Sequence, residues 1–264
     1  LYAIVCILVI YIVGFMYFRI KHPFWSIQPV FHIHNLRYWC FPPGIINHGI
    51  FPMNKYYDPL CVDVKPFHEV SEYQIQSFIQ LIKRHYLREK ELVYNPTKTN
   101  VLAHFNHHNQ NCYYSTYYDN EPIYDVSNKK IINKRSELGL LTSRPLHVSL
   151  FNNEMICHYV DYLCVKQTSR KKNVAPKIIY TYALEISKKR DEPCVFLFKR
   201  EGESTAIVPL VTYNVFTFDN TYWTSNVRFP EPYKLTRING SNASLLFRVM
   251  NQCKSMFDCF IMTN

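Results

Sequence analysis

A run of apolar residues without any charge opens the chain and extends over residues 1–18. A bilayer span needs roughly 20 apolar residues at a helical rise of about 1.5 Å each, so the run is at the short end of that range. Arg19 and Lys21 follow it directly, and no charge precedes it. Because basic residues favour the cytosolic side of a span, we predict a single-pass membrane helix with the rest of the chain in the cytosol. The bulky residues that follow the run disfavour a cleavable signal peptide.

The remaining chain alternates between helical and strand-like periodicity. Residues 19–50 lack a period and are rich in proline, aromatic residues and histidine, which predicts an extended arm. Residues 71–90 place apolar side chains at helical spacing after a Ser71/Gln74 capping-box pattern, which predicts a helix. Further helices are predicted over 97–105, from Pro176 onward and over 245–257. Strands are predicted over 138–150, 156–165, 195–198 and 207–218, after a hairpin with loops over 110–136.

This order of elements is typical of one fold class. A helix, a hairpin, two strands, a helix and two strands predict an α/β (α+β) domain, in which helices flank a mixed central sheet. The predicted transmembrane helix precedes that domain. Apolar residues make up 48% of the chain, so a sizeable core can be buried.

The net charge of +10 favours anionic partners: phosphates, nucleic acid or an acidic membrane surface. No helix-turn-helix, zinc-finger or RNP-type motif is present, so we expect no nucleic-acid partner. The nine cysteines are scattered without a CxxC pair, which favours reduced thiols over a disulfide framework.

One segment concentrates residues that bind metals: His104, His107, His108 and Cys112. A structural zinc site needs four ligands at defined spacing, and this spacing favours a polar surface loop instead, so we expect no metal. A Ser-His-Asp elbow, a P-loop and a dinucleotide-binding fingerprint are all missing from the sequence.

The most informative stretch is 160–176, where a predicted buried strand leads through a basic loop into a helix near Pro176. The loop contains Lys166, Arg170, Lys171 and Lys172. A helix N-terminus presents free N–H groups and partial positive charge, so loop and helix together predict a phosphate or pyrophosphate site. A solvated basic turn is the alternative interpretation.

The same stretch resembles the signature of the N-myristoyltransferase family, in which Asn-Phe-Leu-Cys-Val-His precedes a basic run and Ala-Pro. The segment 161–165 matches the strand, Arg170 and Lys172 match the basic run, and 174–176 closes the motif. Three other segments are similar to family segments in the same order along the chain. They are Phe-Trp-Ser-Ile-Gln-Pro-Val at 24–30, the Leu-Ile and Tyr-Leu pairs within 81–87, and Leu-Gly-Leu-Leu-Thr-Ser-Arg-Pro at 138–145.

The resemblance implies a GNAT-like fold that binds a long-chain, myristoyl-CoA-like acyl-CoA where the central strands splay. It implies that the backbone N–H groups of Tyr162 and Leu163 form an oxyanion hole for the thioester carbonyl. It places the cofactor contacts at Phe24, Trp25, Gln28, Val165, Arg170, Lys171, Lys172, Val174, Ala175 and Pro176. For Phe24 and Trp25, simple core packing is an equal alternative.

The sequence also departs from the family. Thr168 and Asn173 replace basic residues of the loop, and Arg-Glu-Lys at 88–90 replaces an acidic cluster that contacts the basic peptide substrate. The family's second half builds the peptide groove, and only 234–264 could correspond to it. We therefore divide the chain into a transmembrane helix (1–18), an arm (19–50), a GNAT-like N-myristoyltransferase-type domain (51–232) and the start of a truncated second lobe or a C-terminal helix (233–264).

Three functions are consistent with these features. The first is a membrane-anchored, N-myristoyltransferase-like protein that binds long-chain acyl-CoA and transfers the acyl group to an amine of a protein or peptide. The second is a catalytically inactive structural or scaffolding membrane protein with the same fold. The frequent Asn, Lys, Ile and Tyr residues indicate an AT-rich genome, so this second protein would suit the virion membrane of a large DNA virus. The third is a peripheral binder of anionic lipid through Arg19, Lys21 and the basic loop.

Overall fold

The computed structural model describes residues 2–42, 44–87, 94–125, 127, 129–151, 153–189, 194–199, 206–214, 216, 221, 235–257 and 259–262. Within these residues, a six-stranded mixed sheet forms the centre, and helices pack on both of its faces. The predicted fold class, a mixed central sheet flanked by helices behind an apolar N-terminal helix, is confirmed.

The apolar N-terminal run forms helix α1 (Tyr2–Lys21). In the part of the chain that the structure describes, α1 is the one helix long and apolar enough to cross a membrane, with a mean hydropathy of 2.4. This criterion concerns length and composition only, and a signal sequence near an N-terminus meets it as well. Phe18 is the buried residue of α1.

The arm after α1 is less extended than predicted. It contains a short 3-10 turn (Trp25–Ile27) and a one-turn helix, α2 (Leu36–Cys40). His32 forms an isolated antiparallel bridge with Ile207, which joins the arm to a segment far along the chain. Apart from this bridge, residues 206–214 and 216 form no strand, so the strand predicted over 207–218 is wrong where it is described. Pro209 lacks the N–H group that a ladder needs. Residues 215, 217 and 218 lie outside the described residues.

The sheet has the order β1-β2-β3-β4-β5, and β6 pairs with the far end of β3. Its strands are β1 (Val62–Pro66), β2 (Tyr113–Asp125), β3 (Lys130–Leu150), β4 (Asn153–Val165), β5 (Val195–Phe198) and β6 (Cys259–Met262). All neighbours are antiparallel except β4 and β5, which run parallel. The hairpin predicted over 110–136 is formed by β2 and the first part of β3, and the strands predicted over 138–150, 156–165 and 195–198 are present. The sequence did not predict β1 and β6.

Helix α3 (Glu72–His85) covers one face of the sheet. The predicted capping box is present: the Gln74 N–H group donates to Ser71 Oγ at 3.4 Å, and the Ser71 N–H group donates to Gln74 Oε1 at 3.2 Å. Its buried side chains pack in one cluster with those of β3 and β4. The helix ends at His85 rather than at residue 90, and residues 88–90 lie outside the described residues. The helix predicted over 97–105 corresponds to α4 (Lys98–Leu102) and the 3-10 turn that continues it.

Helix α5 (Val174–Ser187) covers the opposite face. Ile178, Tyr182 and Ile186 are buried against the sheet, and Tyr182 Oη lies 2.5 Å from Ser143 Oγ. Gly139 on β3 permits this close approach, because a Cβ atom there would meet Ile178 Cδ1 at 3.0 Å. The helix begins at Val174, so Pro176 is its third residue rather than its first.

The helix predicted over 245–257 is present as α6 (Ala243–Met256). It leads directly into β6, and Lys254 forms an ion pair with Glu154 of β4. The interpretation of 233–264 as the start of a second lobe stays a prediction.

Candidate functional site

The parallel pairing between β4 and β5 ends partway along β4. Residues 157–160 of β4 pair with Val195–Phe198 of β5, and the pairing stops there. Within the described residues, no strand flanks β4 on this side between Asp161 and Val165. Residues 161–165 of β4 therefore have a free backbone edge beside the end of β5.

A bulge on β4 coincides with the point at which β5 ends. Thr142 of β3 lies opposite Tyr162, but Ser143 lies opposite Val160, so Asp161 is the extra residue. Bulges bend a strand and redirect its side chains, and they occur often next to active sites. Thr142 Oγ1 accepts a hydrogen bond from the Tyr162 N–H group at 3.3 Å, so that amide is already engaged within the sheet.

The Leu163 amide faces the other way. The Lys166 N–H group donates to the Leu138 carbonyl oxygen at 2.8 Å. The backbone N–H and C=O groups of Lys166 therefore point toward β3. Because successive residues in a strand alternate in the edge to which they point, Leu163 and Val165 direct their polar groups away from β3. The Val165 carbonyl oxygen accepts from Arg170 Nε at 3.3 Å on that side, which agrees with this alternation.

An open cleft of about 480 Å³ lies at this free edge, between the end of β4, the basic loop and the ends of α3 and α5. The residues that line it are His85, Tyr86, Leu87, Leu163, Cys164, Val165, Ser169, Arg170, Lys171, Asn173, Val174, Ala175 and Pro176. The structure thus brings together these predicted site residues: Leu163, Val165, Arg170, Lys171, Val174, Ala175 and Pro176.

The N-terminus of α5 opens into the cleft without a side-chain cap. Asn173 is the N-cap residue in a left-handed conformation, with φ 60°, and its side chain makes no capping hydrogen bond. The first internal bond runs from the Lys177 N–H group to the Asn173 carbonyl oxygen at 3.1 Å. The N–H groups of Val174 and Ala175 therefore lie before the first hydrogen bond within the helix. Together with the helix dipole, these N–H groups favour the binding of an anion.

Arg170 makes two hydrogen bonds to other described residues. Its Nη2 donates to the His85 carbonyl oxygen at 2.6 Å, and its Nε donates to that of Val165. His85 is the last residue of α3, where free carbonyl groups favour a cation. Arg170 thus connects the end of α3 to the end of β4, a structural role that the sequence did not predict.

The other predicted cofactor contacts lie elsewhere. Phe24 is buried against Tyr56 and Tyr180, Trp25 stacks on Phe198 with ring centroids 5.4 Å apart, and Gln28 Nε2 donates to the Phe24 carbonyl oxygen at 3.0 Å. These three residues do not line the cleft, and neither does Lys172, whose side chain is exposed. The contacts of Phe24 are those of the core-packing alternative, while Trp25 covers the end of β5.

The Tyr162 side chain points into the core under α3. Its hydroxyl lies 2.9 Å from that of Tyr94, and burial raises the pKa of Tyr162. Burial also raises the pKa of the Cys164 thiol to about 12, so this cleft residue stays protonated at neutral pH and is a poor nucleophile.

Sequence reasoning missed several cleft residues. Ser169 is only 3% exposed yet lines the cleft, and its position between the basic residues of the loop was a usable signal. His85, Tyr86 and Leu87 reach the cleft because α3 ends there. No pattern within α3 indicates which strand end its C-terminus will meet.

Asp161, the bulge residue, is a buried carboxylate two residues before Leu163 on β4. Its side chain is 8% exposed and its Oδ1 accepts from Arg144 Nε at 3.0 Å. Burial raises the pKa of Asp161 to about 6, although the Arg144 guanidinium acts in the opposite direction. Oδ2 is buried and has no hydrogen-bond partner among the described residues.

The segment that contains His104, His107, His108 and Cys112 shows no metal-binding arrangement. Cys112 is buried in the core under α3, and the His108 ring is hydrogen-bonded to the His104 carbonyl oxygen at 2.9 Å. Across the described ranges, no group of three or more His, Cys, Asp or Glu side chains is placed to hold a metal ion.

Comparison with known proteins gives a structural likeness only. No protein-family model matches the chain, and no curated protein sequence matches it. Saccharomyces cerevisiae N-myristoyltransferase with bound myristoyl-CoA and inhibitors is similar over 92% of this chain and 58% of that chain, with 12% identity and a TM-score of 0.53. Another structure of the yeast enzyme, with bound myristoyl-CoA, is similar over 64% of this chain and 38% of that chain, with 16% identity and a TM-score of 0.39.

An aminoglycoside acetyltransferase from an uncultured soil metagenomic sample, in complex with sisomicin, is similar over 59% of this chain and 96% of that chain, with 15% identity and a TM-score of 0.38. This chain spans between 36% and 58% of the length of the yeast structures. At such low identities the likeness concerns the fold alone. The protein has a GNAT-like fold, as the sequence predicted.

Proposed function

We propose that this protein is a membrane-anchored binder of long-chain acyl-CoA that transfers the acyl group to an amine of a protein or peptide. The observation that supports it most directly is the cleft itself. The uncapped N-terminus of α5 and the free edge of β4 open into one space of about 480 Å³, so groups suited to phosphate and to a carbonyl lie side by side.

The phosphate end of the ligand would bind at the start of α5. The N–H groups of Val174 and Ala175 are the donors, and Lys171 supplies a charge at the cleft wall. Oriented N–H groups and a helix dipole bind phosphate in many folds without any other motif. The net charge of +10 attracts a polyanionic ligand such as CoA to this surface.

The thioester would lie along β4. Its carbonyl oxygen would accept a hydrogen bond from the Leu163 N–H group, which points to the free edge. The Tyr162 N–H group is engaged by Thr142, so the geometry favours Leu163 as the principal oxyanion donor. An amide that already points to the position where negative charge develops stabilises the transition state without reorganisation.

In the transfer step, the acceptor nitrogen attacks the thioester carbonyl carbon and forms the C–N bond. The C–S bond then breaks, CoA leaves as the thiolate, and the proton lost from the nitrogen passes to a base. Asp161 is the buried carboxylate closest in sequence to Leu163, and its Oδ2 has no other described partner. A carboxylate with a pKa of about 6 is ionised at neutral pH and is a stronger base than an ordinary aspartate.

A catalytically inactive scaffold with the same fold is the second candidate. Two observations favour it: Arg170 is committed to carbonyl groups of the protein, and the Tyr162 amide is committed to Thr142. In the predicted site, Arg170 and the Tyr162 amide would instead form hydrogen bonds with the ligand. The virion location of such a scaffold and the cytosolic side of the domain stay predictions from composition and charge.

Binding can be tested with the full chain in detergent or lipid nanodiscs. A ligand at one hundred times its Kd stabilises the folded state by about 2.7 kcal/mol, so myristoyl-CoA should raise the Tm by roughly 5–10 °C. Myristate without CoA is the control. Radiolabelled myristoyl-CoA offered with candidate peptides then separates transfer from binding alone. An unchanged Tm at saturating myristoyl-CoA rejects the proposal, whereas a shift without a labelled product favours the scaffold.

A further inference from the structure

The arm folds back along α1 instead of leaving it. Tyr11 Oη donates a hydrogen bond to the His34 carbonyl oxygen at 3.0 Å. The His34 ring lies against Phe15, with centroids 5.1 Å apart, and the His32 ring lies 5.4 Å from that of Phe18. Residues 31–41, called the arm tip below, therefore lie beside the last three turns of α1.

These contacts fix how far along α1 the arm tip reaches. Tyr11 precedes Phe18 by seven residues, which is about 10 Å along a helix axis. Phe18 is the last residue of the charge-free run, so it marks the boundary of any membrane span formed by α1. If α1 crosses a bilayer whose apolar core is about 30 Å thick, the arm tip reaches about a third of the way into it.

The outer surface of the arm tip is apolar. Leu36 is 63% exposed, Trp39 56% and Phe41 75%, and the side chain of Ile33 is also exposed. Phe31 packs against the Trp39 ring at 4.9 Å, so aromatic side chains form much of this surface. Trp and Tyr are enriched at membrane interfaces, where an apolar ring and a polar tip suit both environments.

Part of the arm-tip backbone forms hydrogen bonds within the protein, which lowers the cost of placing those groups in an apolar environment. The Ile33 N–H group donates to the Ala206 carbonyl oxygen at 2.8 Å, and the Trp39 indole donates to the Ile33 carbonyl oxygen at 2.9 Å. The N–H groups of Asn35, Leu36, Tyr38 and Phe41 donate to carbonyl oxygens within the arm tip. Arg37 is exposed, and its long side chain can reach the headgroups.

We infer that the arm tip is a second membrane contact, which inserts beside α1 from the headgroup boundary into the outer part of the acyl chains of the same leaflet. This inference rests on the proposed membrane anchor. The lipid surface is the partner because the apolar surface is continuous with α1 and lies at the depth that α1 itself defines. Monotopic elements typically insert about 5–10 Å, which agrees with the depth derived from the Tyr11 contact.

Tryptophan fluorescence of the full chain in lipid vesicles tests the inference. The vesicles contain phosphatidylcholine and phosphatidylserine, with phosphatidylcholine brominated on its acyl chains as the quencher. The Trp25→Phe, Trp223→Phe variant leaves Trp39 as the sole tryptophan. Two control variants also contain Trp39→Phe, so that no native tryptophan remains. Each control variant has a single new tryptophan as its probe. Leu8→Trp reports on α1, and Tyr73→Trp, at an exposed site on α3, reports on water.

We expect brominated lipid to reduce Trp39 emission, as it does at position 8, while position 73 responds only to aqueous acrylamide. If position 8 is quenched by brominated lipid but Trp39 responds like position 73, the arm tip lies in water. The anchor then stands and the inference is overturned. If Trp39 resists both quenchers, another protein surface covers it and the inference is again wrong. If position 8 is not quenched by lipid, the anchor and the inference fail together.

Discussion

The guanidinium group of Arg170 donates a hydrogen bond to the carbonyl oxygen of His85 at 2.6 Å. This bond joins the C-terminus of α3 to the loop that leads into α5, and so it connects the helices on opposite faces of the sheet. Both of the distant segments that it joins line the cleft.

Replacing Arg170 tests whether its role is structural. Arg170→Ala removes two charge-assisted hydrogen bonds at an exposed site, and we expect the free energy of unfolding to fall by about 1–2 kcal/mol in the absence of ligand. Arg170→Lys should lose most of the same stability, because an ammonium group cannot reproduce the planar two-bond geometry. Chemical denaturation measures both effects. An unchanged stability in Arg170→Lys would show that charge alone matters at this position.

Two adjacent lysines provide a matched pair for the ligand site. Lys171 lines the cleft and Lys172 does not. Lys171→Ala should weaken myristoyl-CoA binding by about tenfold, the effect of one charged contact worth about 1.4 kcal/mol. Lys172→Ala should change the Kd by less than about twofold, because an exposed charge outside the site is well screened. Isothermal titration calorimetry compares them, and equal losses would mean that only the overall charge of the loop attracts the ligand.

Asp161 should make stability depend on pH. Its pKa is raised from the ordinary value of 3.8 to about 6, so the fold favours the protonated form. The stability that it contributes is complete below about pH 4 and is lost as the pH rises through about 6. Relative to Asp161→Asn, which does not titrate, the native chain should therefore gain about 2–3 kcal/mol between pH 7 and pH 4.

Denaturation of both chains at several pH values measures this difference, and other titrating groups cancel because they are common to both. Stability curves that run parallel between pH 4 and pH 7 would contradict the prediction.

Gly139 should be intolerant of even a methyl group. In Gly139→Ala the new Cβ atom would meet Ile178 Cδ1 at 3.0 Å and Val165 Cγ2 at 3.1 Å, so these packed side chains must move away from it. We expect a loss of about 1–3 kcal/mol in the free energy of unfolding. Adding Ile178→Val removes the nearest atom and should recover part of that loss in a double-mutant cycle. Gly240→Ala is the control, because no atom of the other described residues lies within 4 Å of a Cβ atom placed there.

Elements whose signals are local could be predicted from the sequence. The Ser71/Gln74 capping box identified the start of α3, and the basic loop before α5 indicated the end of β4. These features depend on residues a few positions apart. By contrast, β1 and β6 are strands of only five and four residues that exist because they pair with β2 and β3.

The candidate site was predictable in position but not in detail. The direction of the Tyr162 amide depends on the bulge at Asp161, and that bulge follows from the register between β3 and β4. The engagement of Arg170 depends on where α3 ends, which the contacts of its buried face determine. Such relationships arise from tertiary packing, and the local sequence does not encode them.

The bridge between His32 and Ile207 has a consequence for the order of assembly. Its two residues are separated by most of the chain, and a chain emerges from the ribosome from its N-terminus onward. Helix α1 is thus synthesised long before the partner of the arm exists. The arm must wait unpaired while the sheet forms, and its docking is expected to be among the last folding events of the domain.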